Sequence, residues 1–188
     1  MKRTLFVLFT FFSFSVCSQT QVLVTYYSVD GHTKALAESV SRGVVSVEGV
    51  NVKLCPVHEV EHADLLEAQA IIVGSPVYNA NIAPAVSEFI MSWPFEGEPL
   101  KNKIGAAFVT GGGISAGEEL AQLNILHSMM IFGMIIVGGS PWEQAFGASA
   151  ITGELPFYSV DGGLDEIFLN KGYQLGKRVA EITGRFNK

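Results

Sequence analysis

The sequence predicts an α/β protein in which a five-stranded parallel sheet lies between two layers of helices. Three observations lead to this fold class. Short apolar runs alternate five times with stretches of helical periodicity, and no internal repeat or linker divides the 188 residues. The runs are nearly continuous, which is typical of strands buried on both faces, and such strands are parallel and joined by right-handed crossover helices. The length fits one domain with a sizeable core.

The first half of the chain supplies three of the strands. Residues 22–27 (VLVTYY) form a near-continuous apolar run, and residues 70–76 (AIIVGSP) form another. Residues 50–55 alternate in polarity and stop at a proline, which indicates a strand between these two. From residue 33 the apolar spacing becomes helical, with one stripe that comprises Leu36, Val40, Val44 and Val47. A helical turn is expected over residues 65–68.

The second half repeats the alternation. The predicted elements, in order, are a helix over residues 83–93, a strand over 103–110, a second helix, a strand over 134–139 and a terminal helix. The second helix is expected to bury the stripe Leu120, Leu123, Leu126 and Met130. The terminal helix is expected to bury Leu164, Phe168, Leu175, Val179 and Ile182. The segment between the last strand and the terminal helix is expected to be irregular.

Residues 1–18 have the layout of a secretory signal peptide, and residues 19–188 are expected to form the domain. Lys2 and Arg3 precede an apolar stretch that ends in small residues, and the stretch is too short for a membrane span. Such a signal peptide would direct the chain to the periplasm or the medium and would be cleaved after Ser18. Lipidation at Cys17 is a weaker alternative because the bulky Val16 precedes it, and a buried first strand is a second alternative.

The charge and the cysteines exclude several classes of protein. Hydrophobic residues make up 48% of the chain and charged residues 16%, which excludes a disordered protein. The net charge is −6, and it becomes −8 when cleavage of the signal peptide removes Lys2 and Arg3. Such an acidic domain repels nucleic acid and anionic membrane surfaces. Cys55 alone then remains, so no internal disulfide is possible, and no metal-ligand spacing is present.

The loop after the first strand is the first candidate binding site. Ligands of parallel sheets bind beyond the carboxyl ends of the strands. This loop opens a helix, whose free N–H groups and positive dipole end favour a phosphate. Its residues are Ser28, Val29, Asp30, Gly31, His32 and Thr33. The nucleoside-triphosphate and dinucleotide glycine motifs are absent. An ordinary turn capped by Ser28 or Asp30 is the alternative interpretation.

Two further loops follow strands at the same edge. The loop after the third strand offers an aromatic face and an amide, from Val77, Tyr78 and Asn79. The loop after the fourth strand exposes backbone N–H groups, which suit the polar edge of a flat ligand. It comprises Thr110, Gly111, Gly112, Gly113, Ile114 and Ser115. Singly, Tyr78 could cover the core and the glycines could form a flexible turn, but together the three loops predict a site.

These segments, with the stretch GGSPWEQAFGASAITG, resemble the WrbA-type NAD(P)H:quinone oxidoreductases. The resemblance covers residues 21–183 and implies a flavodoxin-like flavoprotein with strand order 2-1-3-4-5 and bound FMN. It implies that residues 28–33 cradle the flavin phosphate and that residues 77–79 lie against the isoalloxazine ring. Residues 110–115 would border the pyrimidine edge and the ribityl chain. NAD(P)H is then the expected electron donor.

The sequence departs from the family at several places. Phe132 stands where members commonly carry a histidine over the flavin, and Val77 and Tyr78 stand where an arginine is often found. A long insertion after the second strand, which helps family tetramers assemble, is absent. A homodimer or a larger homo-oligomer therefore stays open. The leader is unusual because family enzymes usually work in the cytosol.

The resulting functional prediction is an exported FMN-dependent oxidoreductase that reduces a quinone by two electrons. The resemblance implies ping-pong hydride transfer from NAD(P)H through FMN, with no catalytic acid or base from the protein. Small residues over 147–149 beside Phe146 predict an open slot for the nicotinamide. Trp93 and Trp142 are candidates for the pocket walls or for the core. The alternatives are a flavodoxin-type electron-transfer protein, which docks a redox partner, and a fold that has lost its cofactor.

Overall fold

The structure is a computed structural model that describes residues 19–157 and 163–186, so the predicted signal peptide lies outside the described residues. The strands are β1 (Thr20–Tyr26), β2 (Val50–Pro56), β3 (Ala70–Tyr78), β4 (Asn81–Ile82), β5 (Ile104–Gly111), β6 (Ile135–Ile136) and β7 (Ala148–Ile151). The helices are α1 (His32–Val45), α2 (His62–Glu67), α3 (Pro84–Met91), α4 (Glu118–Ile131) and α5 (Glu166–Phe186).

The sheet has the predicted topology. Its strands lie in the order β2-β1-β3-β5-β6, and every neighbouring pair in this series is parallel. Counted along the chain, these five strands give the order 2-1-3-4-5, which confirms the prediction. Two short strands bring the total to seven, since β4 pairs antiparallel with β3 and β7 pairs parallel with β5.

The fifth position of the sheet is shared by two separate strands. β6 pairs with the start of β5 at Ile104 and Gly105, and β7 pairs with its end, from Phe108 to Gly111. Residues between them leave the edge of the sheet and return to it. The predicted strand over 134–139 is therefore too long, and the prediction that the following segment is wholly irregular is wrong.

Two apolar cores cover the two faces of the sheet. One core joins the sheet to α1 and α5, and it contains Leu36, Val40, Val44, Phe168, Leu175 and Val179. The other joins the sheet to α2, α3 and α4, and it contains Leu65, Val86, Phe89, Ile90, Ile125 and Met129. This arrangement confirms the predicted three layers.

Helix α4 buries a different stripe from the predicted one. Its buried apolar residues are Ala121, Ile125, Leu126 and Met129. Of the predicted stripe only Leu126 is buried, whereas Leu120 and Met130 are exposed. Both stripes have helical spacing, so periodicity alone could not choose between them. An exposed apolar stripe suits self-association, but the homodimer or larger homo-oligomer stays a prediction.

Helices α1 and α5 cross at backbone contact distance because glycines line the crossing. A Cβ atom on Gly176 would overlap the carbonyl oxygen of Val40, and one on Gly43 would overlap that of Tyr173. The close approach fixes the position of α1 on the sheet. It thereby fixes the amino-terminal end of α1, which carries the first predicted loop.

Candidate functional site

The structure brings the three predicted loops together at one edge of the sheet. They follow β1, β3 and β5, which are adjacent strands, and they leave the sheet at the carboxyl ends of these strands. The buried hydroxyl oxygens of Thr33 and Thr110 lie 2.8 Å apart and form a hydrogen bond. This bond joins the first turn of α1 to the end of β5, and so links the first loop to the glycine-rich loop.

The first loop combines a glycine in the left-handed region with free N–H donors. Gly31 has a φ of 93°, in the left-handed region that favours glycine. Its N–H donates to the hydroxyl of Ser28 at 3.1 Å, and the N–H of His32 donates to the carboxylate of Asp30 at 3.3 Å. These two bonds stabilise the turn, but Gly31 is the residue at the N-cap position and no side chain caps the helix, so Ser28 and Asp30 do not act as helix caps. The helix leaves its next N–H groups without an internal acceptor, so an anion can bind there.

The loop after β3 is a tight hairpin rather than a loose loop. Val77 and Tyr78 belong to β3, whose pairing with β4 joins Tyr78 to Asn81. Asn79 and Ala80 form the turn, with φ of 50° and 61°. Positive φ at both central residues is the geometry of two-residue hairpins. The prediction of a loop over 77–79 is therefore wrong for its first two residues, because β3 continues past the proline at position 76.

Tyr78 lies beside the first loop. The residue is 41% exposed and therefore partly accessible to a ligand. Burial of its other parts raises the pKa of the Tyr78 hydroxyl, and the charges of the neighbouring Tyr27 and Asp30 raise that pKa further. The second loop therefore places an aromatic side chain next to the candidate phosphate site.

The hairpin is fastened to the start of α4. A Cβ atom on Gly117 would lie 2.7 Å from the Cα atom of Ala80, so only glycine permits this approach. Two turns further along α4, the amide of Asn124 donates to the side-chain oxygen of Asn81 at 3.3 Å. These contacts set the distance between the hairpin and the glycine-rich loop that precedes α4.

Two carboxylates that the sequence analysis did not identify flank the glycine-rich loop. Glu118 is buried at the start of α4, and a Cβ atom on Gly111 would lie 2.8 Å from its Oε1 atom. Oε1 of Glu118 has no hydrogen-bond partner among the described residues. From the other side, the carboxylate of Glu154 accepts the N–H of Ile114 at 2.7 Å. Acidic residues at a helix start or in a turn are common, so no sequence signal marked these two.

Several candidate residues lie away from this edge. Phe132 follows the far end of α4, where its ring packs 5.3 Å from that of Trp93. Trp142 is 82% exposed in the segment that leaves the sheet edge between β6 and β7. The predicted slot over 147–149 is absent, because Ala148 is fully buried in β7 and Gly147 packs on the carbonyl of Ala107.

The described residues contain neither a helix that could cross a bilayer nor a metal-binding cluster. No helix among them is both long and apolar enough for a membrane span. Within the same ranges, no three His, Cys, Asp or Glu side chains come together as ligands for a metal ion.

Fold and site together define a flavodoxin-like flavoprotein, and comparisons with known proteins agree. The chain belongs to the NADPH-dependent FMN reductase family, whose sequence model matches residues 22–146. It is 33% identical over 120 residues to a flavodoxin of Clostridium saccharobutylicum, covering 63% of this chain and 73% of that protein. It is 32% identical over 161 residues to an NAD(P)H dehydrogenase (quinone) of Azorhizobium caulinodans, covering 73% and 80%.

Solved structures show the same fold. A flavodoxin, WrbA-like protein from Agrobacterium tumefaciens superimposes with a TM-score of 0.70 at 21% identity, covering 90% of this chain and 99% of that one. An archaeal flavodoxin superimposes with a TM-score of 0.66 at 25% identity, covering 88% and 99%. The matched family model and the quinone dehydrogenase relative, rather than the fold, make the chain an oxidoreductase of a family that uses FMN with NAD(P)H.

The residues at the carboxyl edge fit FMN. The start of α1 offers donors for a phosphate, and Gly112 leaves open space, with no atom within 4 Å of its Cβ position. Apolar side chains at the rim are exposed, at 72% for Val29 and 55% for Ile114. Exposed apolar side chains around polar donors are typical of a site for a partly apolar ligand.

Proposed function

We propose that the protein is a WrbA-like NAD(P)H:quinone oxidoreductase that transfers two electrons in a ping-pong order. The observation that carries the proposal is the Thr33–Thr110 hydrogen bond, which holds a phosphate-type helix start against a glycine-rich loop. The quinone dehydrogenases among the relatives support the choice of acceptor. When bound, FMN supplies hydride transfer, so the protein has to position it and leave it accessible.

The chain's own residues would divide this task. N–H groups at the start of α1, with the hydroxyl of Ser28, would hold the phosphate of FMN. Tyr78 would lie against the ring, and the glycine-rich loop would direct N–H groups at its polar edge. The pair Thr33–Thr110 would keep the two ends of the site at a fixed separation, since both hydroxyls are buried.

Access for a nicotinamide has to come from the rim rather than from the segment before β7. Hydride transfer needs the reacting atoms about 3–3.5 Å apart, with one face of the flavin uncovered. Val29, Ile114 and Leu155 are more than half exposed at this edge. An open rim of this kind supports an enzyme, which must admit two small substrates in turn.

An electron carrier is the second candidate function. Some of the relatives are flavodoxins, and an acidic chain is suited to docking a redox partner protein. A carrier would exchange electrons with another protein and would react slowly with free nicotinamides.

The decisive experiment mixes the FMN-loaded protein with NADH or NADPH without oxygen. We expect the flavin absorbance near its visible maximum to bleach, and a benzoquinone to restore it. Because one site serves donor and acceptor alternately, steady-state kinetics should show parallel double-reciprocal lines. Replacement of Phe132 should change the rates little, since it lies at the far end of α4.

The control reductant is dithionite, which bleaches any accessible flavin. Bleaching by dithionite or a reduced redox protein, but by neither nicotinamide, would favour the carrier. Intersecting rather than parallel lines would contradict the ping-pong order.

We also propose export, on the layout of residues 1–18. The mature chain should begin at Gln19, and the C17A variant should be exported and released like the wild type. The intact mass of the protein recovered from the exported fraction measures where the mature chain begins and whether the C17A variant is processed and released like the wild type. An acylated amino-terminal Cys17 would establish the lipoprotein alternative, and a full-length chain retained in the cytosol would contradict export.

A further inference from the structure

The segment after β7 pairs with the glycine-rich loop beyond the end of the sheet. The N–H of Thr152 donates to the carbonyl of Gly111 at 2.9 Å, and the N–H of Gly153 donates to that of Gly112 at 3.1 Å. The Thr152 hydroxyl adds a second bond to Gly111 at 3.2 Å. Residues 152 and 153 thus pair in turn with Gly111 and Gly112 along the outer side of the glycine-rich loop.

Glu154 ends this series with a side chain. Its carboxylate accepts the N–H of Ile114 at 2.7 Å, across 40 residues of sequence. The same oxygen lies 2.8 Å from the position of a Cβ atom on Gly113, so the carboxylate occupies space that only a glycine leaves free. The bond is charge-assisted, which makes it stronger than an ordinary backbone hydrogen bond.

We propose that Glu154 is a positioning residue that holds the glycine-rich loop in its FMN-binding conformation through the N–H of Ile114. The proposal depends on the proposed function in one respect, which is the assumption that this loop contacts FMN. Glu154 itself need not touch the cofactor, because its bond reaches the outer side of the loop.

A loop with three consecutive glycines needs such a restraint. Glycine loses more conformational freedom on ordering than any other residue, so an unrestrained loop would have to be ordered when the ligand binds. The chain already restrains the carbonyls of Gly111 and Gly112 through the backbone of the neighbouring segment. Glu154 extends the restraint to the far end of the glycine run, where no strand partner remains.

The test uses the full domain and three variants. E154A removes the acceptor, E154Q keeps a side-chain oxygen at the same place, and E143A removes an exposed carboxylate elsewhere in the segment before β7. Amide hydrogen exchange at Ile114 is measured in the flavin-free protein, and the Kd for FMN is measured by quenching of flavin fluorescence.

We expect E154A to accelerate exchange at Ile114 and to raise the Kd for FMN, each by about tenfold, as the loss of one charge-assisted bond requires. E154Q should stay within about threefold of the wild type in both measurements, because a neutral acceptor keeps about half of the bond's free energy. E143A should match the wild type. A merely structural role would lower thermal stability without this rescue by glutamine.

Three results would overturn the proposal. Unchanged exchange at Ile114 in E154A would show that the bond does not hold the loop. Tighter FMN binding in E154A would show that the carboxylate competes with the ligand instead. If E154Q and E154A lost equal amounts of FMN affinity and of protection from exchange at Ile114, the effect would be due to the charge of Glu154 alone. If the wild type binds no FMN while E154A accelerates exchange, the restraint stands and the proposed function fails.

Discussion

The G31V variant is expected to lose most of its affinity for FMN while its flavin-free form stays folded. Gly31 has a φ of 93° at the start of α1, a conformation that a β-branched residue strongly disfavours. The turn would have to change, and the N–H groups after it would turn away from the phosphate. Each charge-assisted bond lost costs about 1.5–3 kcal/mol, which corresponds to a Kd raised roughly tenfold to a hundredfold. Fluorescence titration with FMN measures this change.

Gly49 provides a matched control for this variant. It also has a positive φ, 79°, and like Gly31 it has no atom within 4 Å of its Cβ position. It lies in the turn between α1 and β2, away from the candidate site. G49V and G31V should each lower the stability of the flavin-free protein by about 1–2 kcal/mol, but only G31V should weaken FMN binding. Equal Kd values for both variants would show that residues 28–33 form an ordinary turn and no phosphate site.

The largest expected loss of stability comes from the G176A variant in α5. The new methyl group would overlap the carbonyl oxygen of Val40 in α1, and a backbone atom cannot change rotamer to make room. The two helices would have to separate, which removes contacts in the core that they share with the sheet. Overpacking of this kind costs about 1–3 kcal/mol, and a backbone clash belongs at the upper end. Urea denaturation of the flavin-free protein measures the change.

The control for this variant lies in the same helix. Gly184 has no atom within 4 Å of its Cβ position, so an alanine there fits without contact. G184A should raise stability by about 0.5–1 kcal/mol, because alanine favours the helix and restricts the unfolded chain. If G176A were as stable as G184A, α1 and α5 would not approach each other as closely as the structure shows.

The sequence patterns by themselves determined the parallel sheet and the edge that carries the site, whereas the strand order was implied only by the family resemblance. Apolar runs such as residues 70–76 are long enough to require burial on both faces, whatever covers them. The loops that follow such strands must meet at one edge, which is why Thr33 and Thr110 could be assigned to one site although 77 residues separate them. Glycine at position 31 permits either a close backbone approach or a positive φ, and the structure shows the positive φ of 93°.

Only the tertiary structure decided which of several equivalent patterns is used. In α4 both the predicted stripe and the observed one have helical spacing, and the sheet selected the one with Ile125 and Met129. The division of the fifth strand depends on pairing with β5, which local sequence does not encode. The carboxylates of Glu118 and Glu154 reach the glycine-rich loop through contacts between distant segments. Periodicity reports that a segment is a helix with one buried face, whereas the face that is buried and its partners are set by how the whole chain packs.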